Sequence, residues 1–141
     1  MILLDTDVVA EIMKPHCHPA VSAFIDGQPL GDLFLPSLVV AELRYGMRRL
    51  PEGRRRDDIA ANFEAFLAAG FALRILVFDA ACAEGYAMAH TTRERAGRPV
   101  QIQDALIGGM AVAYGATLAT RNTADFDGYG LSLVDPWQGV E

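Results

Sequence analysis

Short apolar runs and longer amphipathic stretches take turns along this chain. Met1–Leu4, Leu33–Leu35, Leu73–Phe78, Thr117–Thr120 and Leu131–Val134 are compact, β-rich runs. Runs of that kind fill strands buried on both faces of a parallel sheet. Between them the apolar positions recur at helical spacing, and turn residues mark the ends. Asp7 can cap a short helix from Val8 to Met13, and Pro15 ends it. A second helix opens at Pro19 and Ala20 and stops at Gly27, after Asp26. Ser37 can cap a third, Leu38 to Leu50, which Pro51-Glu52-Gly53 breaks. Asp57 to Ala69 reads as a fourth, ended by Gly70. Asp79 can cap a long helix to about Ala96, closed by Gly97-Arg98-Pro99. The last runs from about Gln101 to Tyr114, with Gly115 as its C-cap. Strands alternating with helices predict an α/β fold, a mainly parallel sheet covered on both faces. The 141 residues carry no repeat, linker or low-complexity segment and are expected to form one domain over residues 1–141.

In an open α/β sheet, chemistry collects outside the carboxyl ends of the strands. The first strand stops on Asp5, with Asp7 two residues later. In the third helix Val39, Glu42, Leu43, Gly46, Met47 and Leu50 follow the spacing of one apolar face, which turns Glu42 inward. A carboxylate there needs an arginine, a hydrogen-bond network or a metal ion as partner. With the phase shifted by one residue, Glu42 would instead stand at the rim, facing solvent or an arginine. Asp104 lies near the start of a helix that is apolar all round, Ala105 to Ala113, and therefore central. A negative charge there is stabilised by about 0.3–1 kcal/mol through the helix dipole. The glycines and alanines of the same helix allow close approach of a neighbour. Directly after the fourth strand come Thr120-Arg121-Asn122-Thr123-Ala124-Asp125-Phe126, again at the carboxyl edge. Thr120 and Asn122 offer neutral hydrogen-bonding groups, and Asp125 another acid.

Asp5, Glu42, Asp104 and Asp125 thus come from four distant segments toward one sheet edge. Two carboxylates about 4 Å apart repel by roughly 4 kcal/mol at an effective dielectric near 20. Such a cluster holds protons or binds a cation. Oxygen ligands without histidine or cysteine select a hard ion, Mg²⁺ or Mn²⁺.

Composition changes the picture in a few places. A net charge of −6 argues against holding nucleic acid by bulk electrostatics. The arginines are nevertheless grouped. Arg44, Arg48, Arg49, Arg54, Arg55 and Arg56 fall within thirteen residues, and Arg93, Arg95 and Arg98 form a second set. Arginine suits phosphate through its planar fork, although a solvated helix face and codon bias produce the same pattern. Cys17 and Cys82 lack metal-ligand spacing. His16-Cys17-His18 cannot all face one ion from an extended loop and reads as solvent-facing. Tyr45, Met47, Tyr86 and Met88 read as packing residues, or as a face between two copies. No basic and apolar leader opens the chain, and Ala105 to Thr120 is too short for the ~20 residues of a membrane span. A reducing cytoplasm is the expected setting.

Taken together, Asp5-Thr6-Asp7-Val8-Val9, Pro36-Ser37 with Glu42-Leu43-Arg44-Tyr45-Gly46, Gln103-Asp104, and Thr120 to Phe126 resemble a PIN-domain ribonuclease. More narrowly, the chain is similar to the VapC-type toxins of toxin–antitoxin pairs, in the plasmid-stability and trafficking-type subgroup. The resemblance runs from Met1 to about Trp137. It implies a three-layer α/β/α domain whose five parallel strands lie in the order 3-2-1-4-5. It implies an Mg²⁺- or Mn²⁺-dependent endoribonuclease. Asp5 and Asp104 would hold the metal directly, and Glu42 and Asp125 would complete the site directly or through water. Thr120 and Asn122 match the family's hydroxyl and amide positions, here assigned to substrate binding. Asp7 departs from the family, where Asn is usual. The resemblance further implies a homodimer and a small antitoxin partner sending a basic side chain into the acidic pocket, in a heterotetramer or larger assembly.

Two other readings compete. Ile2-Leu3-Leu4-Asp5-Thr6-Asp7-Val8 also fits the nucleophile loop of a haloacid-dehalogenase-type phosphatase, but that chemistry needs a late lysine and Lys14 is the only one. A catalytically inactive PIN-like binding module would keep the acids only as caps and arginine partners.

Overall fold

The computed structural model describes residues 1–138. Within them the strands are β1 (Ile2–Leu4), β2 (Leu33–Pro36), β3 (Ile75–Leu76), β4 (Thr117–Ala119) and β5 (Ser132–Val134). The helices are α1 (Thr6–Ile12), α2 (Pro19–Asp26), α3 (Ser37–Arg48), α4 (Arg54–Phe66), α5 (Ala80–Arg95), α6 (Ile102–Tyr114) and α7 (Thr123–Phe126). The strands form one sheet in the order β3-β2-β1-β4-β5, and every pairing is parallel. This is the architecture expected from the alternation of runs and the resemblance.

Parallel neighbours require crossovers, and these are right-handed almost without exception. Moving outward from β1 through β2 to β3 lays α1 to α4 on one face. The chain then returns past β1 to build β4 and β5, which lays α5 and α6 on the other. The sheet reverses direction between β1 and β4, so a crevice opens at their carboxyl ends. Successive residues are buried in both strands, Leu3 with Leu4 and Leu118 with Ala119. That pattern requires cover on both faces.

The tightest packing lies between α5 and α6. A Cβ added to Gly109 would meet the backbone N and Cα of Tyr86 at 2.5 Å, and one on Gly85 would meet the Gly109 carbonyl at 2.3 Å. The small residues of α6 therefore serve the close approach anticipated for them. Gly115 closes α6 in the left-handed conformation (φ 61°), and Asp79 caps α5 by accepting from the Cys82 N–H at 3.0 Å.

Several local expectations need correction. Asp5, not Asp7, caps α1, because it is the single residue between the end of β1 at Leu4 and the start of the helix at Thr6. Ser37 is the first helical residue of α3 instead of its cap; Pro36 stands at the cap without a side-chain bond. α4 begins at Arg54, since Gly53 (φ 145°) makes the turn and the arginines are good helix formers. It ends at Phe66, followed by a π-helical turn, Leu67–Phe71, where the fourth helix was expected to continue. β3 shrinks to two residues, with Leu73 96% exposed, as suits an edge strand. The one-turn α7 was not anticipated. His18 caps α2, its Nδ1 accepting from the Ala20 N–H at 3.1 Å. The His16-Cys17-His18 loop therefore has a structural explanation. No helix among the described residues is long and apolar enough to cross a membrane.

Gly109→Ala should destabilise the protein by about 1–3 kcal/mol, because the intruding Cβ meets backbone that cannot rotate away. Gly46→Ala, whose Cβ would enter open space within α3, should stabilise it by roughly 0.5–1 kcal/mol. Urea denaturation of both variants beside the wild type measures the contrast.

Candidate active site

Asp5 continues β1 by one ladder bond, its N–H donating to the Ala119 carbonyl at 2.9 Å. The strand thereby sets where its carboxylate stands, at 7% exposure. One oxygen accepts from the Thr6 N–H at 2.8 Å, the other from the Thr120 hydroxyl at 2.7 Å. Burial raises the Asp5 pKa. The bonds from Thr120 and Thr6 oppose that rise, and the Asp125 charge adds to it. Thr120 is fully buried at the end of β4, its own N–H bonded to the Val134 carbonyl at 3.0 Å. Its hydroxyl also accepts from the Asn122 N–H at 3.1 Å.

Asp7, in the first turn of α1, accepts from the Arg121 N–H at 3.2 Å and from the Asn122 side-chain amide at 3.3 Å. Its other oxygen is buried without a partner. Burial and the charge of Asp5 push its pKa up to about 6. Asp7 thus ties the β4–α7 loop to α1. Thr120 and Asn122, expected at the substrate, stand beside the acids and hold Asp5 and Asp7.

Glu42 does not point into the core. Val39 is fully buried and Leu43 and Met47 are half-buried, while Gly46 is exposed, so the buried stripe passes beside Glu42 and leaves it at the rim. It accepts there from the Thr6 hydroxyl and the Gln103 amide, not from an arginine. Burial raises its pKa, opposed by the Thr6 bond, with Asp5 adding a smaller push. Asp104 is half-buried in the first turn of α6. Its pKa rises to about 6 through burial first, then through the charges of Asp5, Asp125 and Glu42, with Arg93 opposing. Asp5 and Asp104 therefore each lie within electrostatic reach of all the other predicted acids. Asp125 is the exposed member, on α7.

Among the described residues, no three His, Cys, Asp or Glu side chains are drawn tightly enough together to enclose an ion. The donor set still suits a hydrated hard cation. It is all oxygen, burial and then neighbouring charges raise several of its pKa values, and one Asp7 oxygen is buried unpaired. Mg²⁺ keeps several waters and needs only one or two carboxylates from the protein. The phosphatase reading lacks its cation here: Lys14 lies beyond α1, bonded to Glu11 at 3.3 Å.

Sequence reasoning missed Arg93. It was grouped with Arg95 and Arg98 as a basic set, yet it is buried. It donates to the carbonyls of Pro99 (2.7 Å), Ala124 (3.2 Å) and Asp127 (2.7 Å), and lies 5.1 Å from the centre of the Tyr129 ring. It anchors the segment that carries Asp125 and provides the cation behind Asp104. The buried positions of α5, Cys82, Gly85, Ala89 and Arg93, share one helical stripe, and that spacing would have placed it inside. Arg98 pairs with Asp127 at 2.7 Å, and Arg44 pairs with Glu64 over the Phe63 ring.

The family model described as PIN domain matches residues 2–130. Plasmid stability protein StbB of Pseudomonas syringae pv. tomato is 41% identical over 98% of this chain and 99% of its own. VapC ribonuclease Y4jK of Sinorhizobium fredii is 36% identical over the same shares. Toxin FitB of Neisseria gonorrhoeae is 34% identical over 97% and 99%. The crystal structure of FitAcB from Neisseria gonorrhoeae superposes with a TM-score of 0.90 at 34% identity, over 97% of this chain and 99% of that one.

A carboxyl whose pKa is raised on folding stabilises the protein while protonated, and that stability is lost as pH climbs from the ordinary value near 3.8 through about 6. In EDTA, the wild type should therefore lose stability between pH 4 and pH 6.5. Asp104→Asn should flatten that loss and melt higher than wild type at pH 7; urea titrations across the range test it. Arg93→Met should destabilise by about 2–4 kcal/mol, since buried carbonyls lose a charged donor. Chemical denaturation measures this too.

Proposed function

The chain belongs to the PIN-domain family, and from that premise we propose that it is a metal-dependent endoribonuclease, the toxin of a toxin–antitoxin pair. The observation that carries this reading is the convergence of acids from β1, α3, α6 and α7 on the switch point of the sheet, where Asp5 is held by Thr120 and Glu42 by Thr6 and Gln103, beside Asp104 and Asp125. It is supported by close similarity, over nearly the whole chain, to proteins called a VapC ribonuclease and a toxin.

Asp5 and Asp104 would hold the divalent ion, Mg²⁺ or Mn²⁺, with Glu42 and Asp125 completing its surroundings directly or through water. When bound there, the ion would lower the pKa of a coordinated water and offset charge on the phosphodiester. The chain's own groups set the geometry. The Thr6 N–H and Thr120 hydroxyl lock the Asp5 carboxylate in one orientation. The Thr6 hydroxyl and the Gln103 amide do the same for Glu42. Glu42 stays partly open to water, and its raised pKa suits it to accept the proton of the attacking water. Asp7 and Asn122 hold the loop leading to Asp125. Arg93 keeps the far side of that loop in place.

The acidic crevice and the pI near 5.0 suit a basic antitoxin segment as the inhibiting partner. RNA is the substrate, residues 1–141 act as one domain in the cytoplasm, and two copies pair with their sites along a shared groove.

Purified protein, freed of antitoxin, should cut total cellular RNA into discrete fragments with Mg²⁺ or Mn²⁺ and not with EDTA. Asp104→Asn should be slower by roughly 10²-fold or more. Gel analysis of the products reads this out, and metal-independent cutting or full activity in the variant would refute it.

A further inference from the structure

Helix α3 carries more than Glu42. Tyr45 and Arg49 follow it at i+3 and i+7, which puts the three on one strip of the helix surface. Tyr45 is 65% exposed, and the Arg49 guanidinium lies 5.6 Å from the centre of its ring. Tyr45 and Glu42 also line the same hollow of about 410 Å³, together with Thr6, Ala41 and Gln103. Glu42 and Tyr45 thus share one hollow, and Arg49 lies against the Tyr45 ring.

Each part has a use for a single RNA strand. An exposed aromatic ring accepts any base by stacking, and an adjacent arginine adds a phosphate contact. An acidic protein needs such local cations, because its net charge of −6 repels the backbone elsewhere. Arg49 sits outward of the acids along α3, which gives the strand a direction.

We propose that Tyr45 is the stacking platform for the nucleobase beside the scissile phosphate, and that the RNA strand leaves the acids along α3 toward Arg49. The proposal rests on the ribonuclease reading. A packing role would ask of position 45 only an apolar side chain. Stacking asks for an aromatic plane, and substitutions separate the two.

The test uses the Asp104→Asn full-length protein with Mg²⁺ at fixed low salt, so that binding is read without cleavage. The probe is a fluorescein-labelled pool of short single-stranded RNAs of random sequence, followed by fluorescence anisotropy. Tyr45→Leu should weaken binding by about tenfold, while Tyr45→Phe and Tyr45→Trp keep it near the parent value. Light scattering should show the same molar mass for all. Parent-like affinity in Tyr45→Leu overturns the platform and leaves the ribonuclease standing. A weakened Tyr45→Leu whose molar mass also falls overturns it too, and assigns Tyr45 to the contact between copies. Absence of binding with Tyr45 intact, together with no cleavage by wild type, overturns this proposal and the ribonuclease reading at once.

Discussion

The Asp5 carboxylate is buried at the end of a strand and is held from two directions. The Thr6 N–H grips one oxygen because α1 begins at Thr6, with only Asp5 between it and β1. The Thr120 hydroxyl grips the other because β4 pairs in register beside β1. These bonds do not neutralise the charge, and burial still lifts the pKa of the group. Around this fixed, costly charge stand Asp7, Glu42, Asp104 and Asp125. A fold does not gather acids in this way for its own stability, since each carboxylate makes the others harder to ionise. A cation joining them would make the arrangement favourable.

The doubly wound topology is what makes the gathering possible. β1 sits at the centre of the sheet, and the change of direction between β1 and β4 leaves its carboxyl end uncovered. α3 and α6 belong to opposite layers, yet both bring their early turns to that crevice, so Glu42 can take a bond from Gln103. The glycine contact between α5 and α6 and the buried Arg93 work from behind. One sets how closely α6 packs, and the other ties the α7 segment to α5.

Much of this was legible in the residues. Apolar runs ending on Asp5 and Thr120 located the strands and their carboxyl edge, and the order of motifs anticipated the topology. What escaped was local phase. Glu42 lies one step off the buried stripe because Gly46, counted as apolar, faces solvent. Asp7 looked like a helix cap because nothing in the sequence says that only Asp5 separates α1 from β1. The arginines of α5 looked alike, but position 93 falls on the stripe that packs inward, while Arg98 reaches Asp127 at the surface. Such distinctions depend on a helix's rotation by a fraction of a turn, which propensities do not record.

The central claim is that Asp5 and Asp104 share one divalent ion. The most direct measurement is a crystal of the antitoxin-free protein soaked with Mn²⁺ and recorded for anomalous scattering. A single strong peak about 2.0–2.2 Å from oxygens of Asp5 and Asp104, absent in Asp5→Asn, is the predicted result. Crystals that take up no Mn²⁺ between these carboxylates, or that hold it unchanged in Asp5→Asn, would contradict the account.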